Sequence, residues 1–190
     1  MLGVMGDDKA APGRLAVVQD FVNTAEWDED RDDLATPDGL AAWLADQGLP
    51  GQRPDGDDVR RAIRLREAIR GLCVANNGGP VRDRDLEELN RTAESARLRP
   101  RFRTTAASEL EPEVGGLEGA LGRIVAAIHE GMALGTWPRL KGCRNEACQY
   151  AFYDHTRNHA GAWCSMQSCG NREKARRFRT SRRGATRPET

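Results

Sequence analysis

Apolar side chains recur at intervals of three and four along much of the chain. Residues 1–13 are rich in Gly, Asp and Pro without such a period, which predicts disorder. Leu15, Val18, Phe21 and Val22 then make one stripe and predict a first helix over 15–24. The period is lost in the acidic run from Trp27 to Asp33, which reads as a loop. Thr36-Pro37-Asp38-Gly39 opens a second helix. Thr36 is the expected N-cap, and Pro37 takes the first helical position, where its missing N–H costs nothing. Leu40, Trp43 and Leu44 form its inner face, and Gly48 with Pro50 stops it.

Asp57 or Asp58 is expected to cap a long third helix. Val59, Ile63, Leu65, Ala68, Ile69 and Leu72 pack along it, and Asn76-Asn77-Gly78-Gly79-Pro80 ends it. Arg66 and Arg70 track the same face as Ile69 and Cys73. Asp83 or Asp85 is expected to cap a fourth helix with Leu86, Leu89 and Ala93 inward. Residues 98–105 alternate weakly and suggest an edge hairpin, followed by a turn-rich connector over 110–116. Leu117, Leu121, Ile124, Val125, Ile128 and Met132 define the last helix of this body, ended by Gly135. His129 lies beside that stripe as a partly exposed side chain.

Beyond Gly135 the pattern changes. Tyr150, Phe152 and Asp154 alternate with Ala151 and Tyr153, which predicts a short hairpin strand. Around it stand four of the five cysteines, Cys143, Cys148, Cys164 and Cys169, spaced C-x4-C-x15-C-x4-C. Two close pairs joined by a spacer suit a tetrahedral cation, with four thiolates converging at about 2.3 Å from one Zn²⁺. A shell filled by four thiolates is structural, so His155 and His159, although four residues apart, are not needed as ligands. Trp163 is placed to shield the sulfurs from water. The fifth cysteine, Cys73, sits on the apolar stripe of the third helix and reads as a small buried hydrophobe.

After Cys169 a basic helix is expected, capped by Asn171. Arg172, Arg176, Arg179 and Arg183 fall on one of its faces, flanked by Lys174 and Arg177, with Arg157 between the cysteine pairs. Arginines projecting from a helix anchored at a metal ligand suit phosphate contacts and major-groove entry. The expected fold class is therefore mainly α: a helical N-terminal domain over 14–136, then a small four-cysteine zinc-finger module over 137–183 built from a short β-hairpin and a C-terminal helix.

Composition adds three points. A length of 190 residues suits one medium domain plus such a module. The formal net charge of +0 hides a division: from Arg139 onward there are twelve Lys/Arg against four Asp/Glu, and the rest holds seventeen against twenty-five. A basic module carried on an acidic body points to a polyanion as partner. Finally, there is no run of 18 apolar residues and no basic segment leading into an apolar one, so neither a membrane span nor a signal peptide is expected. That implies the cytoplasm, where thiols stay reduced and metal binding outranks disulfides. No Ser-His-Asp set, phosphate-cradling Gly loop or two-His/Glu metal helix suggests an enzyme.

The residues Cys169-Gly170-Asn171-Arg172 carry a resemblance to bacterial regulators with a CGNR-type zinc finger and an N-terminal ABATE-type domain. The likeness extends to Thr156-Arg157-Asn158, Trp163-Cys164-Ser165-Met166 and Lys174-Ala175-Arg176. In the body it extends to Asp20-Phe21-Val22-Asn23-Thr24 and Leu40-Ala41-Ala42-Trp43-Leu44. The chain departs from the family where arginines usually precede the Trp-Cys pair: here His159-Ala160-Gly161-Ala162 stands before Trp163. The resemblance implies one structural Zn²⁺ and a stress-linked transcription regulator acting on double-stranded DNA. A homodimer or a small-molecule effector on the helical domain would complete that picture. The alternative is a protein-interaction module in which zinc only staples a basic tail that binds an acidic partner.

Overall fold

The computed structural model describes residues 9–48 and 53–176. It begins with α1 (Leu15–Val22), a small ribbon of β1 (Ala25–Glu26) and β2 (Arg31–Asp32), α2 (Pro37–Asp46), α3 (Gly56–Asn76) and α4 (Asp83–Ser95). A hairpin of β3 (Leu98–Thr104) and β4 (Ala107–Pro112) leads to α5 (Gly116–Ala133). A 3₁₀ turn, Trp137–Arg139, then delivers β5 (Leu140–Gly142) and β6 (Ala151–Tyr153). Each of the three strand pairs is antiparallel and two-stranded. The fold is mainly α, as the periodicity predicts, and no helix among the described residues is long and apolar enough to cross a membrane.

Local chemistry explains both ends of α2 and the start of α3. Thr36 caps α2 as expected, its hydroxyl accepting from the Gly39 amide at 3.1 Å, with Pro37 at the first position. Gly48 follows that helix at φ +63, a conformation that glycine adopts freely. Pro50, the other half of that stop signal, lies outside the described residues, as do residues 1–8. The cap of α3 is Asp55, not Asp57 or Asp58. Its carboxylate accepts from both of those amides, and Asp58 answers with a bond from the Asp55 N–H, a reciprocal box. Neither Asp83 nor Asp85 caps α4; Arg82 holds that position with no side-chain cap. Asp85 instead turns inward to pair with Arg82, over Gly71 of α3, where a Cβ would collide with both.

The core of the body is one apolar cluster drawn from all five helices, α4 contributing Leu89, and centred on Phe21, Leu65, Ile69, Ile124 and Ile128. Burying each such side chain contributes roughly 1.5–3 kcal/mol. Trp43 packs on it through Phe21, with ring centroids 5.0 Å apart. Cys73 is fully buried there, and burial pushes its thiol up to about 12. Two stripe residues depart from expectation. Leu86 is exposed because Asp85 takes the inward position beside it. Met132 is exposed because α5 meets α1 through Gly131, whose missing side chain admits Leu15. His129 is exposed. The acidic loop is a ribbon, Ala25 opposite Asp32. The expected connector over 110–116 begins as the second strand of the β3–β4 hairpin, in which Arg99 and Arg101 face Glu111 and Glu109.

Candidate metal centre

Cys143, Cys148, Cys164 and Cys169 are all buried, and their sulfurs lie within 4.8 Å of one another. Cys164 Sγ is 3.7 Å from Cys148 Sγ and 3.8 Å from Cys169 Sγ. A tetrahedron with bonds of about 2.3 Å has edges of about 3.8 Å, so the spacing suits one zinc ion with four thiolate ligands. None of the five cysteines is in a disulfide. His155 and His159 are exposed and outside the cluster; the His155 ring nitrogen reaches the Ala10 carbonyl at 2.8 Å instead.

Each hook is shaped by its own backbone. In the first, the amides of Cys148 and Gln149 both donate to the Asn145 carbonyl at 2.9 Å, closing the loop. Gln149 then takes a left-handed φ of +47, which reverses the chain into β6. In the second, Ser165 accepts from the Ser168 amide at 3.3 Å and starts a π-helical turn, Met166–Gly170, that continues as α-helix over 171–176. Ser165 is thus the cap, and Asn171 is already helical, its Nδ2 donating back to the Gln167 carbonyl at 3.0 Å. The motif gains a physical reading: Cys169 is a ligand, Gly170 leaves room for Met166 and Trp163, and Asn171 ties the turn.

Without a cation, the electrostatics favour a single thiolate. Hydrogen bonds from Cys148 and Cys164 hold the Cys143 thiol well below its usual range, assisted by the backbone amides of Cys164 and Asn145. Cys148 and Cys164, as donors to Cys143, are pushed up. A cation binding all four therefore displaces protons. Asn145 Nδ2 donates to Cys169 Sγ at 3.4 Å, orienting that sulfur from outside the tetrad. Phe152, Tyr150 and Trp163 pack around the sulfurs and shield them.

Beneath the sulfurs, β5 and β6 pair Lys141 with Phe152. Phe152 faces the cysteines, while Ala151, Tyr153, Leu140 and Trp137 belong to the core of the body. The core of the module is thus only half its own. Lys141 Nζ donates to the fully buried Asp154 carboxylate at 2.8 Å and to the carbonyls of His159 and Gly161 at 2.5 and 3.3 Å. Burial alone would raise the Asp154 pKa; Lys141, Thr156 and the Gly161 amide reverse this and hold it well below the usual carboxylate range. A Cβ on Gly161 would meet the Asp154 carboxylate at 2.7–2.9 Å, so this loop has no room for an arginine at that position.

The residues that join module and body escape a reading by periodicity. Asn23 brackets Ala151 like a strand partner, accepting from its N–H at 2.8 Å and donating to its carbonyl at 2.9 Å; Gln19 adds a third bond at 3.1 Å. Asn76 and Asn77 donate to the carbonyls of Trp137, Leu140, Gly142 and Ala162. Arg70, 1% exposed, donates to Val22 and Ala25 in the body and to Gln149 beside the first hook. Its neighbour Arg66 is equally buried against Asp32 at 2.6 Å. The available signal was their phase: both arginines fall on the apolar stripe of α3.

Of the basic residues singled out, Arg157, Arg172, Lys174 and Arg176 are exposed on the module. Arg172 lies 3.4 Å from Asp28 in the β1–β2 turn, and Arg176 pairs with Glu173 at 2.7 Å. Arg144 lines a hollow of about 470 Å³ beside Cys169 together with Arg172 and Arg176. Arg177, Arg179 and Arg183 lie outside the described residues.

This combination of helical body and four-cysteine finger defines a class that comparison makes specific. Residues 139–183 match the CGNR zinc finger. Residues 15–133, more than half of the chain, match ABATE, described as "Putative stress-induced transcription regulator". The chain belongs to the ABATE family and carries a CGNR zinc finger with one structural zinc. A search of curated proteins found no match.

Proposed function

We propose that the protein is a DNA-binding transcription regulator of the cytoplasm. Residues 137–183 present a basic helix to double-stranded DNA, and residues 14–136 form a sensing or dimerising body. The observation that carries this reading is the anchoring of the helix. It grows directly out of the Cys169 hook, so Arg172 and Arg176 project one turn apart from a rigid base. They suit base edges or the first phosphates, while Arg157, Lys174 and the more distal Arg177, Arg179 and Arg183 suit backbone contacts. Arg144 widens the basic surface beside the metal site. The stress-linked role follows the description of the ABATE family.

One observation favours a second reading. Arg172 pairs with Asp28 of the body's acidic turn, the contact expected of a tail that binds acidic protein surfaces. A double charge reversal, Arg172→Glu with Arg176→Glu, separates the two. DNA binding, read at several salt concentrations, is expected to weaken at least about tenfold, with a salt slope smaller by about two phosphates. Zinc content and oligomeric state are expected to stay unchanged. Undiminished retention on DNA would overturn the first reading.

A further inference from the structure

Between α3 and α4 the body carries an open trough of about 650 Å³. That volume falls within the range of roughly 300–1,000 Å³ common to small-ligand sites. Its apolar lining is Ile63, Ala68 and the indole of Trp27, which is 49% exposed and rests against the Arg70 guanidinium at 5.2 Å from the ring centroid. An aromatic of this size left half in water at the mouth of a cavity is a ready stacking surface.

The rest of the lining is charged, four arginines interleaved with four acids. Arg64, Arg82, Arg84 and Arg91 all face the trough, and they share two carboxylates. Asp85 serves both Arg82 at 2.7 Å and Arg84 at 3.8 Å; Glu88 serves both Arg91 at 2.5 Å and Arg64 at 3.8 Å. Glu67 is committed to the buried Arg66 and Arg70 at 2.8 and 3.1 Å. Acids and arginines are equal in number in the lining, but Arg64 and Arg84 reach only carboxylates already engaged more closely by Arg91 and Arg82, which leaves their forks open to a ligand. Planar guanidinium forks beside an indole select a flat molecule that carries a carboxylate.

The trough is also wired to the metal module. Trp27 is followed by Asp28, the partner of Arg172. Arg70 holds the chain leading into this turn, at Val22 before β1 and at Ala25 within it, and holds Gln149 next to Cys148.

We propose that the trough is an effector site for a small aromatic carboxylate, its ring against Trp27 and its carboxylate on the arginines, and that occupancy is passed to Arg172 through Asp28. Occupation of the trough does not depend on whether Arg172 touches DNA, and the test needs none. The full-length, zinc-loaded, ¹⁵N-labelled protein is titrated with 2-naphthoate and, separately, with the neutral 2-naphthamide. The Trp27 indole N–H and Arg172 Nε–H signals are followed by NMR, assigned with Trp27→Phe and Arg172→Lys. The naphthoate is expected to shift both signals saturably and the amide neither. Arg84→Gln with Arg91→Gln is expected to weaken binding by about tenfold, the loss of one charge-assisted contact or more. A silent Trp27 signal, an equal response to the amide, or an Arg172 signal that stays still while Trp27 moves would each overturn the proposal. A response reproduced by inorganic phosphate alone would overturn the aromatic class.

Discussion

In the body, Phe21, Leu65, Ile69, Ile124 and Ile128 meet in an apolar cluster that extends through five helices. In the zinc module, the corresponding place is taken by four sulfurs, three aromatic rings and a buried Lys141–Asp154 pair. One region is stabilised by area removed from water and tolerates many substitutions that preserve volume. The other has too little apolar surface for that and depends on a few strong, directional contacts, each costly to lose. The two are nevertheless not separate in the way the sequence suggests. Ala151 and Tyr153 of β6 belong to the body's cluster, and Asn23, Arg70, Asn76 and Asn77 replace water at the exposed edges of the module. A small module that cannot close its own core borrows that of its neighbour.

The sharpest way to break this contrast is to remove the metal. Structural zinc sites contribute an apparent 10–16 kcal/mol in isolated fingers. Chelation, or Cys148→Ser, is expected to abolish hydrogen-exchange protection across residues 140–170 while amides in α1, α3 and α5 stay protected, at lower stability because Leu140, Ala151 and Tyr153 no longer cover the core. Simultaneous loss of protection in both regions would show instead that body and module unfold as one unit.

Next in size is the ion pair. Asp154→Asn leaves Lys141 buried without its charge partner and is expected to cost about 3–5 kcal/mol, measured by denaturant melts with zinc present. The pH dependence follows from the direction of the shift. Asp154 binds its proton less tightly when folded than when unfolded, so its contribution is fully present above the usual carboxylate pKa of about 4. It is lost as pH falls through that value toward the lower folded one. The stability gap between wild type and Asp154→Asn is therefore expected to narrow on acidification. A gap that stays constant down to acidic pH would mean that the cost is one of shape rather than charge.

Much of this architecture is legible from the residues alone, because the signals involved are local. Helical periodicity places all five body helices, the Thr36-Pro37 opening is read correctly, and the cysteine spacing singles out the tetrad that the fold assembles. What escapes are choices made by distant partners. Leu86 and Met132 have the right period, yet Asp85 and Gly131 take the inward positions because of what lies across from them. The β4 strand is hidden by Glu109, Glu111 and Pro112, poor strand formers that fit because arginines of β3 and the edge of α5 receive them. Arg66 and Arg70 would ordinarily face water. They are drawn inside by Asp32 and by three backbone carbonyls that no short motif announces. The Asn171 cap is displaced because Ser165, six residues earlier, starts the turn first.

The seam between the two regions offers the finest test. Asn23 supplies both a donor and an acceptor to Ala151, whereas Gln19 supplies only a donor to the same carbonyl. Asn23→Ala therefore leaves the buried Ala151 N–H without a partner, and Gln19→Ala does not. Leaving such a group unsatisfied costs about 1–3 kcal/mol, against about 0.5–1.5 kcal/mol for a bond whose partner retains another. Because Gln19 also accepts from the Ala11 amide at 2.6 Å and donates to the Lys9 carbonyl at 3.0 Å, its loss is expected to loosen the segment before α1 as well. Asn23→Ala should instead expose residues 149–153 to exchange while leaving residues 9–12 unaffected. If hydrogen exchange shows the two substitutions opening the same segment by the same amount, the seam is held by packing of Ala151 and Tyr153. The polar bracket would then add orientation rather than stability.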